Sequence, residues 1–120
     1  MNRKSILVIC RTAPYGSSAA RDALDIALSG TVFDMPVSLL LLDDAVLQLL
    51  QNQNSALIGE KNINAMLGAL PLYDIEQVYT SMQSLALHGL EAVQLEPRPT
   101  VLDSSELQAL INRHEIVLSV

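Results

Sequence analysis

The sequence predicts an α/β fold: a three-layer α/β/α sandwich around a mainly parallel sheet of about five strands. Three observations predict it. Short apolar runs, such as Ser5–Cys10 and Val37–Leu42, recur along the chain. Each is followed by a stretch with helical spacing or a helix cap. The runs are continuously apolar rather than alternating, as strands covered on both faces of a parallel sheet must be.

The elements follow in order. Ser5–Cys10 (SILVIC) is the first buried strand, and Pro14 and Gly16 mark the loop behind it. A first helix begins at Ser17 or Ser18, either a good N-cap, runs to about Leu28, and stops at Gly30. Val37–Leu42 (VSLLLL) is the second strand. Asp43 or Asp44 caps a second helix, AVLQLLQ, and Asn52–Ser55 is a polar break. A third helix is expected around Lys61–Ala69, with Ile63, Met66, Leu67 and Leu70 at helical spacing and Pro71 as its stop. Gln77–Thr80 is the third strand and Ser81–His88 the fourth helix. Gly89 takes the C′ position and Leu90 packs back in the Schellman manner. Ala92–Leu95 is read as a short strand, and EPRPT as a loop. Asp103 with Glu106 resembles a capping box for a fifth helix, Ser104–Arg113. Glu115–Val120 (EIVLSV) is the last strand.

Composition bounds the function. A chain of 120 residues suits one domain, spanning 1–120. Half the residues are hydrophobic and the mean hydropathy is +0.32, high for so small a fold. Some of that apolar surface is therefore expected to meet another subunit. In AVLQLLQ, the residues Ala45, Val46, Leu47, Leu49 and Leu50 cover most of the circumference, as in a helix buried on two sides. The second side is either a subunit contact or a loop of the same chain. No apolar run nears the roughly 18–20 residues needed to cross a bilayer, and MNRKSILVIC is too short to be read as a signal peptide. One cysteine excludes an internal disulfide, which fits a reducing cytosol. A net charge of −6, with seven scattered basic residues, argues against direct nucleic-acid binding.

Candidate chemistry is sparse. Cys10, at the carboxyl end of the first strand beside Arg11, is either a thiolate nucleophile or persulfide carrier, or a small buried hydrophobe. The RTAPYGSS loop could cradle a phosphate, but it lacks both GxGxxG and GxxxxGK[ST], and Pro14 removes a donor. His88 and His114 stand near helix C-termini, where capping suits them better than catalysis. Neither has metal-ligand spacing with a second donor. Asp43-Asp44, at the end of the second strand, suits helix capping better than a metal or acid–base role. Tyr73 with Asp74 is either a binding pair or a packed turn.

The wider pattern narrows these readings. Arg11–Asp25 (RTAPYGSSAARDALD), Asp43–Leu50 (DDAVLQLL), Leu70–Tyr79 (LPLYDIEQVY) and His114–Val120 (HEIVLSV) together resemble the TusC/DsrF branch of the DsrE/DsrF-like sulfur-relay family. The most specific parts are T-A-P-x-G-x-x-x-x-R-x-x-L-D from Thr12 to Asp25 and L-Y-D-I-E-Q from Leu72 to Gln77. The resemblance implies a cytoplasmic subunit that associates with TusB-like and TusD-like partners in a heterohexamer. Such a complex takes persulfide sulfur from TusA and passes it to TusE, towards 2-thiolation of the tRNA wobble uridine. In sulfur-oxidising bacteria the related subunits serve dissimilatory sulfur metabolism. No cofactor or metal is expected. The family's persulfide-carrying cysteine lies on the TusD/DsrE subunit, at the end of a central strand just before a helix. Counted back from the helix-closing glycine, here Gly89, that position falls near Ser81. A serine hydroxyl cannot carry a persulfide, so the resemblance implies a non-catalytic subunit. Val46, Leu47, Leu50, Tyr73, Asp74 and Tyr79 are then candidate subunit contacts. A stand-alone thiol-transfer protein using Cys10 and a flavodoxin-like nucleotide- or flavin-binding module are the competing readings.

Overall fold

A computed structural model of the chain describes residues 5–11, 19–32, 35–49, 70, 75, 77–95 and 98–120. Five strands form one sheet: β1 (Ile6–Cys10), β2 (Val37–Leu41), β3 (Val78–Ser81), β4 (Thr100–Leu102) and β5 (Ile116–Ser119). Their order is β4-β3-β2-β1-β5, and every neighbouring pair is parallel. Three α-helices are described: α1 (Ala19–Val32), α2 (Met82–Leu87) and α3 (Ser104–Arg113). Two 3-10 helices, Asp43–Leu49 and Ala92–Gln94, complete the set.

The apolar runs become strands because both sheet faces are covered. All five residues of β1 are buried, and they divide by parity. Ile6, Val8 and Cys10 join Leu39, Leu41 and Val78 in one core, packed with Ala23, Leu24 and Ala27 of α1, Val46 and Leu49 of the first 3-10 helix, and Leu85 of α2. Leu7 and Ile9 join Leu40, Leu42, Tyr79 and Leu102 in a second core under Leu110 of α3. This is the three-layer sandwich. Leu7, Leu39, Leu40 and Leu41 are each 0% exposed, and a fully buried leucine contributes about 1.5–3 kcal/mol. The two central strands are therefore the principal anchor of the fold.

Local signals close the helices. Asp103 Oδ1 accepts from the Glu106 amide at 2.8 Å, and Glu106 Oε1 accepts from the Asp103 amide at 3.1 Å, a complete capping box for α3. Gly89 has φ +63°, a left-handed conformation that a Cβ would strain. Its amide donates to Ala86 O, and the Leu90 amide donates to Leu85 O, the two bonds of a Schellman motif.

Four expectations need correction. Ala92–Leu95 is not a strand of the sheet: Ala92–Gln94 is a 3-10 turn, and the fourth strand is Thr100–Leu102, which starts at the last residue of the EPRPT stretch read as loop. Its proline-rich approach is compatible with the outermost strand, which needs hydrogen bonds on one side only. AVLQLLQ is not an α-helix: Asp43–Leu49 is 3-10. Asp43 does not cap it from outside but belongs to it, with φ +53°. The first helix continues through Gly30 to Val32 instead of stopping there; glycine weakens a helix by about 1 kcal/mol but does not by itself end one. The helix expected around Lys61–Ala69 and the polar break Asn52–Ser55 lie outside the described residues, as do Ser17 and Ser18.

Candidate functional site

The strand ends converge on one feature, the Ser81 turn. Ser81 is the last residue of β3 and the N-cap of α2, with extended backbone (φ −105°, ψ 154°). Its Oγ accepts from the Ser84 amide at 3.0 Å and donates to Ser84 Oγ at 2.8 Å. Ser84 Oγ in turn accepts from the Asp43 amide at 2.8 Å. This last bond ties α2 to the end of β2 and holds Asp43 in its left-handed conformation, which aspartate tolerates better than most residues. A second tie runs in parallel: His88, the C-cap of α2, lies with Nε2 3.1 Å from Asp44 Oδ1. Both ties fall on the first turn of a seven-residue 3-10 helix, when runs beyond about 3–4 residues are uncommon.

Two openings flank Ser81. One, about 380 Å³, is bordered by Arg11, Asp43, Gln83, Ser84 and Leu87. The other, about 110 Å³, is bordered by Met82, Leu102, Asp103 and Ser104. Ser81 itself is 7% exposed, a hydroxyl at the floor of both. Among the described residues, neither Ser81 nor Ser84 bonds a histidine or carboxylate side chain. A serine needs such a base to become a nucleophile. The arrangement is a strand-end serine that caps a helix, with no base beside it among the described residues.

Cys10 is elsewhere. It pairs with Leu41 in register and belongs to the first core, whereas Ser81 pairs with Leu102 on the opposite face. Its Sγ is 0% exposed and accepts from Gln48 Nε2 at 3.5 Å. The placement is that of a small packed residue, without access for a sulfur donor. His114 caps α3: Nδ1 meets Leu110 O at 2.8 Å and Nε2 meets Ser38 Oγ at 3.1 Å, which clips the helix to β2.

The expected contact residues divide. Val46 is wholly buried inside the chain, so in that segment the surface left for a partner belongs to the half-buried Leu47. Tyr79 is buried against α3, where Arg113 donates to its hydroxyl. Leu50, Tyr73 and Asp74 lie outside the described residues. Sequence reasoning missed Gln48, Ser84 and Arg113. Each acts through a residue more than 30 positions away or through a hydroxyl whose role depends on the turn around it, and neither leaves a local signature. Among the described residues no three metal-ligating side chains cluster, and no helix is long and apolar enough to cross a membrane.

Comparison with known proteins gives four findings. The family model described as DsrE/DsrF-like matches residues 4–120. The "Protein TusC homolog" of Pseudomonas aeruginosa is 39% identical over 117 residues, covering 98% of each chain. The "Intracellular sulfur oxidation protein DsrF" of Allochromatium vinosum is 32% identical over 130 residues, covering 97% of this chain and 96% of its own. In fold, the crystal structure of the ychN protein from E. coli superposes with a TM-score of 0.83 over 98% of this chain and 99% of its own, at 24% identity.

Proposed function

The chain belongs to the DsrE/DsrF-like family, and from that premise we propose that it is a non-catalytic subunit of a Tus-type sulfur relay. In this reading it docks TusB-like and TusD-like subunits in a cytoplasmic heterohexamer. The complex receives persulfide sulfur from TusA and hands it to TusE for 2-thiolation of the tRNA wobble uridine. The observation that carries the non-catalytic role is Ser81: it occupies a strand-end, helix-capping position suited to a thiol, yet holds a hydroxyl with no base beside it. The buried Cys10 supports the same reading, because it offers no substitute carrier. Exposed Met82 and Leu87, on the helix that Ser81 caps, supply apolar surface for a partner that brings the reactive group to this end of the sheet.

Affinity purification of the tagged chain from its host tests the assembly, with two small α/β proteins expected to co-purify. Deleting its gene is expected to lower 2-thiouridine in tRNA hydrolysates. Unchanged thiolation would overturn the tRNA role. A DsrF-like role in sulfur oxidation is the second reading, favoured by the similarity to the Allochromatium vinosum protein. It predicts unchanged tRNA and impaired oxidation of stored sulfur.

A further inference from the structure

A separate cavity, about 350 Å³, opens between α3 and the β3–β4 end of the sheet. Its walls include Tyr79, Thr100, Leu102, Glu106, Ala109 and Arg113. Tyr79 and Thr100 are register partners, so both side chains stand on the α3 face. Tyr79 is only 7% exposed. Arg113 Nη2 donates to its hydroxyl at 3.0 Å, and the guanidinium carbon lies 5.9 Å from the ring centroid.

The donor inventory is unbalanced. A guanidinium has five N–H donors and no acceptor; Tyr79 occupies one. A tyrosine hydroxyl that accepts from arginine still has its own proton to donate, and no described residue accepts it. Nor does any carboxylate among the described residues pair with Arg113, in a chain with 13 acidic and 7 basic residues. One end of the cavity therefore presents a positive charge and several donors that no described residue takes up, on an exposed Arg113 whose remaining N–H groups face solvent. Glu106 stands seven residues earlier on α3, about 10.5 Å along the helix axis, and its Oε1 is engaged by the Asp103 amide.

We propose that this cleft is a docking site for an acidic side chain, glutamate or aspartate, on an extended segment of a partner protein. The carboxylate meets Arg113 and the Tyr79 hydroxyl, which together offer the paired donors a carboxylate takes. Leu102 and Ala109 accommodate the aliphatic part of the side chain, whereas a hydrated inorganic anion would gain nothing from them. The backbone of the segment has a place as well: among the described residues β4 is the last strand on its side of the sheet, and a strand added there brings alternate side chains to the cleft. This site adjoins the smaller Ser81 opening, with which it shares Leu102, but does not depend on the relay reading.

The test is a nuclear magnetic resonance titration of the full chain with three probes. They are a terminally blocked Val-Thr-Glu-Val-Thr peptide, its Val-Thr-Gln-Val-Thr counterpart, and inorganic phosphate. The glutamate peptide is expected to give saturable shifts at the Thr100–Leu102 amides and the Arg113 side-chain N–H. Arg113→Gln is expected to weaken binding roughly tenfold or more, the scale of a lost charge-assisted hydrogen bond. Tyr79→Phe, which keeps the ring packing, weakens it less. Absence of saturable shifts, an equal response to the glutamine peptide or to phosphate, or binding unchanged in Arg113→Gln overturns the proposal. None of these outcomes bears on co-purification or tRNA thiolation, so this inference and the relay role fail independently.

Discussion

If Ser81 has the geometry of a sulfur carrier without its chemistry, installing the sulfur should install the chemistry. Ser81→Cys is the perturbation. In the wild type, Ser81 Oγ makes two hydrogen bonds to Ser84, one of them the N-cap of α2. A neutral hydrogen bond contributes about 1 kcal/mol net, and an N-cap is typically worth about 1 kcal/mol. Sulfur is a weaker donor and acceptor, so the variant loses about 1–2 kcal/mol. Against a stability of about 5–15 kcal/mol for a domain, it stays folded, with Tm lower by roughly 4–8 °C. The new thiol receives the Ser84 N–H, which favours the thiolate, and it faces the openings bordered by Arg11 and Asp103. Incubation with polysulfide and intact-mass measurement is the assay. The thiolate attacks a polysulfide sulfur, keeps that atom as a persulfide, and releases a shorter polysulfide. The variant is expected to gain about 32 Da, one sulfur atom, while the wild type, whose Cys10 is fully buried, gains nothing. A wild-type adduct, or a folded variant that gains no sulfur, would refute the reasoning.

Three further outcomes follow from the same structure. Cys10 should resist iodoacetamide in the native chain and react stoichiometrically in denaturant; rapid native alkylation would contradict its burial beside Gln48. Asp103→Ala removes the N-cap half of the capping box and should cost about 1 kcal/mol in urea unfolding at an unchanged m-value. Gly89→Ala meets no neighbouring atom, so its cost comes from the left-handed backbone alone, about 1–2 kcal/mol. A neutral or stabilising result there would mean that the turn relaxes out of its positive φ.

What the sequence determined by itself was whatever is decided locally or by burial pattern. The apolar runs at Ile6–Cys10 and Val37–Leu41 have no stable place except inside a sheet covered on both faces, so the α/β class was legible from them. The Asp103–Glu106 box and the Gly89 turn were legible because their partners lie within five residues. The position of Ser81, between a strand and a helix, was legible for the same reason. Tertiary structure alone decided the rest. Thr100–Leu102 is too short and too polar at its start to announce a strand; pairing with Tyr79–Ser81 makes it one, while Ala92–Gln94, in the stretch expected as a strand, forms a 3-10 turn instead. The first turn of the Asp43–Leu49 3-10 helix is tied by Ser84 and His88, about 40 residues away. Cys10 is buried because Gln48 and the first core close over it, and Arg113 reaches Tyr79 only once α3 lies on the sheet. Residues distant in the chain meet only after the backbone has given up the conformational entropy of closing the intervening loops. No property of either residue alone records that meeting.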